Sequence, residues 1–311
     1  MSFPAGEVAA LSVSVFWTFT ALAFEYGAKR IGSLALNVLR LVIALAVFTV
    51  LGLALRGEAL PLSAGPSVWF WLGLSGLVGF VFGDIFLFQA YADIGARLTQ
   101  VLFSASPLIT ALLGFAVLGE RLSWPALAGM VTVVGGIALV VSAPPPGSAA
   151  AQPAGGTSAD AAPADKRHRL RGVVCALLGA LGQSGGLILS KIGAPSYDPF
   201  AATQIRVVAG LAGFLVLAAV WGRWSEPWWA LAHKRTVGVI AVGAFFGPFL
   251  GVSLALYAAQ RSDAGVAATL MGLTPILILV PAVFLKREKV ALREFFGAAL
   301  AVAGSALLFV G

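Results

Sequence analysis

Asp84 stands in the run "GFVFGDIFLFQAY" (79–91), a carboxylate among apolar and aromatic neighbours. A charge so placed costs free energy unless it faces a cavity or a partner. Two uses remain open: counter-ion to a solute amine or carrier of a coupled proton, or structural partner of an arginine or backbone group. Arg40 in "NVLRL" (37–41) and Arg206 in "TQIRV" (203–207) are also ionic groups well inside apolar runs, ~13 Å along a helix from its start. They either meet an anionic group of a solute or bridge helices and snorkel. Trp17 with Thr18, and Gln183 with Ser184, fall in the middle of two further runs, the second amid Gly179, Gly182, Gly185 and Gly186. Polar atoms there would either line a binding site or tie helices together. Gln89, Tyr91, Gln100, Gln204 and Tyr257 complete the candidates, with ordinary interfacial roles as the alternative. Pro107 and Pro275 remove a helix hydrogen bond, freeing the carbonyls of Phe103 and Met271. That makes each a hinge or a packed kink.

Other chemistries find little support. The two histidines, His168 and His233, fall in or near loops, and no Ser/His, His/Asp or metal-ligand spacing stands out. Cys175, the single cysteine, excludes an intramolecular disulfide and a thiolate metal cluster. No nucleotide-binding glycine loop is present, so the expectation is a non-enzyme without cofactor or metal. A net charge of +7 comes from short basic clusters between apolar runs rather than an aromatic-interleaved patch, which disfavours nucleic acid as a partner.

The elements that carry these residues follow from composition. The 311 residues are 59% hydrophobic and 11% charged, with a mean hydropathy of +0.96. A soluble chain carries roughly 25% charged residues, so much of this surface must meet lipid. A spanning helix needs about 20 apolar residues. On that length ten segments qualify: 6–24, 32–55, 67–91, 96–118, 124–142, 170–190, 199–221, 236–259, 264–285 and 291–310. The stretch 143–168, rich in proline, alanine and glycine, reads as a disordered linker between halves 1–142 and 169–311.

The halves repeat. An offset of 168 pairs Gly79 with Gly247, Gly83 with Gly251, Pro107 with Pro275, Glu120 with Glu288, Gly129 with Gly297 and Gly136 with Gly304. Earlier in each half an offset of 166 pairs Gly27 with Gly193 and Arg40 with Arg206. Asp84 pairs with Val252, so the acid is not a duplicated feature. Five spans per half is an odd number, so the second half enters the membrane from the opposite side. The expected fold is all-α: ten transmembrane helices as two inverted five-helix repeats, an arrangement that suits alternating exposure of a midplane site. An intramembrane enzyme acting on a lipid-linked substrate and a passive channel are the alternatives.

On "NVLRL", "TQIRV", "SPLITALLGFAVLGERLS" (106–123) and "TPILILVPAVFLKREKV" (274–290), the chain resembles the EamA family of the drug/metabolite transporter superfamily. The second half departs from the pattern, with "KREK" where the first has "GERL". The resemblance implies an integral protein of a bacterial cytoplasmic membrane. It further implies movement of a small metabolite, an amino acid or related solute, more often outward, with proton or ion coupling open. It also implies cytoplasmic termini. Charge points the other way: only Arg56, Arg121, Lys191 and Arg261 fall in the loops after even-numbered spans, against fourteen Lys and Arg after odd-numbered ones. The positive-inside rule then puts both termini outside the cytoplasm.

Overall fold

A computed structural model describes residues 5–119, 123–141, 163–261, 270–284 and 291–307, and among them it contains helix, turns and no strand. The first half comprises α1 (Ala5–Arg56), α2 (Pro66–Gly76), α3 (Asp84–Phe103), α4 (Ser106–Leu113) and α5 (Trp124–Val141). The second comprises α6 (Pro163–Gly193), α7 (Pro199–Val220), α8 (Ser225–Ala230), α9 (Lys234–Ala244), α10 (Val252–Arg261), α11 (Thr274–Leu277), α12 (Leu279–Phe284) and α13 (Leu292–Leu307). Six helical stretches are long and apolar enough to cross a membrane by length and composition, while Ser106–Leu118 and Thr274–Phe284 are shorter apolar helices. These counts are of the described residues. Ala5–Arg56 and Pro66–Phe103 each run through a break, at Gly32 and Gly95, where φ 78° and ψ 162° suit only glycine. The second half makes the equivalent corner at Asp198 differently. Its backbone is extended, its carboxylate accepts from the Ala201 N–H at 2.7 Å, and Pro199 opens α7.

One sequence expectation needs correction. The helix α6 begins at Pro163, so the last six residues of the expected linker are helical; proline fits there because the first turn needs no N–H. At Pro107 and Pro275, read from the sequence as hinges or packed kinks, the helix is interrupted just before the proline. The chain turns at Ser104–Ala105 and at Gly272–Leu273, and a new helix starts with the proline in its first turn. Residues 143–162, Glu120, Asp263 and Glu288 lie outside the described residues.

The repeat extends to backbone irregularities. π-helical turns occupy Leu77–Gly83 and Phe245–Gly251, the same 168-residue offset, and the broken helices restart at Ser106 and Thr274 with that offset again. Contacts between the halves are reciprocal. Gly79 and Gly83 lie against Gly186 and Gln183 of α6, while their counterparts Gly247 and Gly251 lie against Thr20 and Trp17 of α1, the repeat equivalents of 186 and 183. A methyl group on Gly136 would fall 2.6 Å from the Gly297 carbonyl, and one on Gly304 would fall 2.8 Å from that of Gly129. Helices α5 and α13 therefore meet through the same glycines, exchanged. Small residues permit this approach, which dispersion and backbone contact then stabilise.

Polarity is distributed inside out. Phe70, Trp124, Val131 and Phe284 are exposed, whereas Asn37, Arg40, Asp84, Gln204 and Arg206 are buried. Such an exterior suits lipid, and the protein is an integral membrane protein. Gly182→Val should test the helix contact. Its first added carbon would fall 2.7 Å from the Gly83 nitrogen, whereas a carbon on Gly238 meets nothing within 4 Å. Overpacking of this kind costs about 1–3 kcal/mol. In detergent, Gly182→Val should unfold several degrees lower than wild type, and Gly238→Ala should be unchanged.

Candidate functional site

Arg40 sits two turns beyond the Gly32 break, and Asp84 is the first residue after the π-helical turn Leu77–Gly83. A π turn admits an extra residue, rotating the following side chains relative to the helix before it. The two side chains form a salt bridge, each about 4% exposed. The guanidinium also donates from Nε to Asn37 Oδ1 at 3.0 Å. The second carboxylate oxygen, Oδ1, accepts from Gln183 Nε2 at 2.6 Å. That amide, from the second half, also reaches the Gly79 carbonyl at 3.3 Å. Asn37 Nδ2 in turn donates to the Ser33 carbonyl at 2.9 Å. Pairing and hydrogen bonding of this kind offset the cost of burying the two charges.

Arg206 is equally buried but differently served. Its Nε has no hydrogen-bond partner among the described residues. The Phe80 ring lies 5.0 Å from its guanidinium carbon and 5.4 Å from that of Arg40, so one aromatic face stands between two cations. Phe88 approaches Arg40 at 4.8 Å. Electrostatic attraction to the rings offsets some of the lost hydration.

Both arginines and Asp84 line a cavity of about 330 Å³. Its wall pairs repeat-equivalent positions: Arg40 with Arg206, Asp84 with Val252, Trp17 with Gln183, Phe80 with Pro248, and Ser106 with Thr274. Pro107 and Pro275 line it too, at the two restarted helices. Discontinuous helices at matching depths are how transporters build a site within the bilayer. Tyr91 and Gln100 contribute a bonded pair, Nε2 to hydroxyl at 2.9 Å.

The other sequence candidates lie outside the wall. Ser184 is one contact removed, donating to the Ser106 carbonyl at 2.9 Å. Thr18 is turned into its own helix, its hydroxyl donating to the Ser14 carbonyl at 2.9 Å. Gln89 faces the helix end and donates to Asp93 at 3.0 Å. Gln204 is fully buried between Arg56 Nη2 and the Ala59 carbonyl, both at 2.7 Å, and anchors a loop. Tyr257 packs with Ala9, Ala10 and Ala258, and Arg261 lies over its ring. A helical position tells the depth of a polar group and leaves the side it faces open. Thr20, Phe24, Phe80, Phe88, Ser104 and Thr274 line the cavity without having been singled out. The repeat offset could have found Phe80 and Thr274, as partners of a buried proline and a serine beside Pro107.

Ion pairs tie the ends of the helices. Arg97 meets Glu294 of α13 at 2.5 Å, Arg171 of α6 grips Asp93 at 2.6 and 2.8 Å, and Arg56 approaches Asp198 at 3.6 Å.

Residues 4–142 and 170–310 each match the family described as the EamA-like transporter family. No curated protein matches the chain. Among solved structures, one described as "Crystal structure of protein" is 19% identical, with a TM-score of 0.62 over 99% of this chain and 98% of its own. At that identity the likeness concerns the fold alone.

Removing one member of the buried pair should be costly. Asp84→Asn leaves the Arg40 charge without its counter-ion, at about 3–5 kcal/mol. Thermal unfolding should fall accordingly, and the Arg40→Gln/Asp84→Asn double variant should recover most of the loss. Equal stability of Asp84→Asn and wild type would show that the pair holds nothing.

Proposed function

Since the chain belongs to the EamA-like transporter family, we propose that it is a secondary carrier of a small organic solute. It works by alternating access through ten spans arranged as two inverted five-helix repeats. The observation that carries this reading is the cavity wall, drawn from equivalent positions of both halves. Two similar half-sites threaded in opposite directions give two states of similar energy, one open to each side.

Ten passes follow if the breaks at Gly32 and Gly95 are membrane-face turns. The end-to-end ion pairs agree with that threading. It puts Arg97 with Glu294, and Arg171 with Asp93, on one side, and Arg56 with Asp198 on the other. The exchanged glycine contacts of α5 and α13 fit a pseudo-two-fold axis between the halves, as a self-complementary interface requires. The restarted helices at Ser106 and Thr274 supply breaks at which the wall can pivot. Solute or ion gradients drive the cycle, and the family resemblance favours outward movement of amino-acid-like metabolites.

Counterflow in proteoliposomes tests this. Vesicles loaded with one unlabelled amino acid or organic acid should transiently accumulate the same labelled compound against its concentration ratio. A panel of folded, reconstituted protein giving only downhill equilibration would indicate a channel, and no movement at all would remove the carrier reading.

A further inference from the structure

The two half-sites are unequal in charge, and the inequality has a direction. Arg40 is bonded by Asp84 and Asn37, and Gln183 holds the other oxygen of that carboxylate. At the repeat-equivalent positions around Arg206 stand Val252, Thr203 and Trp17. Val252 and Trp17 offer no acceptor, and Thr203, whose hydroxyl donates to the Pro199 carbonyl at 2.7 Å, leaves Arg206 Nε without a partner. Arg206 is 4% exposed, lines the cavity, keeps a partnerless Nε, and makes no direct ion pair among the described residues; the Asp84 carboxylate, which is paired with Arg40, acts on it only through space. Arg40 is already neutralised.

We propose that Arg206 receives the carboxylate of a monoanionic solute with an apolar or aromatic body, which replaces in the second half the carboxylate that Asp84 supplies in the first. This inference rests on the carrier reading of the same cavity. The charge balance selects the class. The described ionisable side chains of the wall are Arg40, Asp84, Arg206 and Tyr91, and with the phenol neutral they leave one positive charge. A monocarboxylate brings the sum to zero, which a low-dielectric enclosure favours. A zwitterion leaves the excess in place, and a phosphate dianion reverses it. The planar guanidinium fork matches a carboxylate in geometry as well. The rest of the wall suits an apolar body: Trp17, Phe24, Phe80, Phe88 and Phe103 supply ring surface. A volume of about 330 Å³ admits only a small molecule.

Equilibrium dialysis of the purified full chain with labelled N-acetyl-L-phenylalanine provides the test. Unlabelled N-acetyl-L-phenylalanine should compete at least about tenfold better than N-acetyl-L-phenylalaninamide, as a charge-assisted pair is worth ~1.5–3 kcal/mol. L-phenylalanine, L-phenylalaninamide and phenyl phosphate should compete less well than the acetylated acid. Arg206→Lys should keep the preference for the acid, and Arg206→Gln should erase it. Val252→Asp gives Arg206 an internal counter-ion in the manner of Asp84. It should also lose the preference while unfolding no lower than wild type, so the answer does not depend on Arg206→Gln folding. No binding of the labelled acid to wild type, equal competition by acid and amide, tighter binding of the zwitterion, cation or phosphate ester, or a preference that survives Arg206→Gln or Val252→Asp would each overturn the proposal. Dialysis needs no transport. Arg206-dependent acid binding without counterflow would therefore remove the carrier reading and keep this one, whereas counterflow without acid preference would do the reverse.

Discussion

An ionic group inside a lipid-facing protein is costly unless an opposite charge or a polar cavity meets it, and that constraint shapes the centre of this molecule. Arg40 and Asp84 satisfy it together, yet neither suffices alone. Gln183 holds the free carboxylate oxygen and Asn37 holds Nε of the guanidinium. Gln183 belongs to the second half, so the network spans both repeats. The polar centre consequently lies where the halves meet, and the cavity forms around it. Single-half packing would have given either a dry interface or a stranded charge.

Glycine sets how close that meeting can be. Gly83 against Gly182, Gly136 against Gly297 and Gly129 against Gly304 bring backbones into contact with little room for a side chain. The cavity wall draws on π turns and restarted helices, whose backbone is less regular. The exposed aromatic and aliphatic side chains require only lipid in return.

Much of this was legible in the residues. The offsets of 168 and 166 that pair prolines, glycines and arginines also pair the π turns, the helix restarts and the cavity wall. Hydropathy located the helical segments, and the match of the family to residues 4–142 and 170–310 follows the same division. Facing direction was less accessible. Thr18 and Trp17 are neighbours, but one bonds to its own helix and the other lines the cavity. Gln204 lies two residues from Arg206 and serves a loop near Arg56. Hydropathy runs smoothly across Ser104–Ala105, so there the only sign of an interruption was the proline itself.

The central claim of the proposed function is that one cavity is exposed to each side of the membrane in turn. Thr110 lines it, and Cys175 is buried among Ala90, Leu102 and Ala176. A Thr110→Cys variant in a Cys175→Ser background, reconstituted with known orientation, can be treated with a membrane-impermeant maleimide from either side. Reaction from both sides, in vesicles that remain impermeable to the reagent, is the predicted result. Reaction from one side only, whatever solute is supplied, would contradict it.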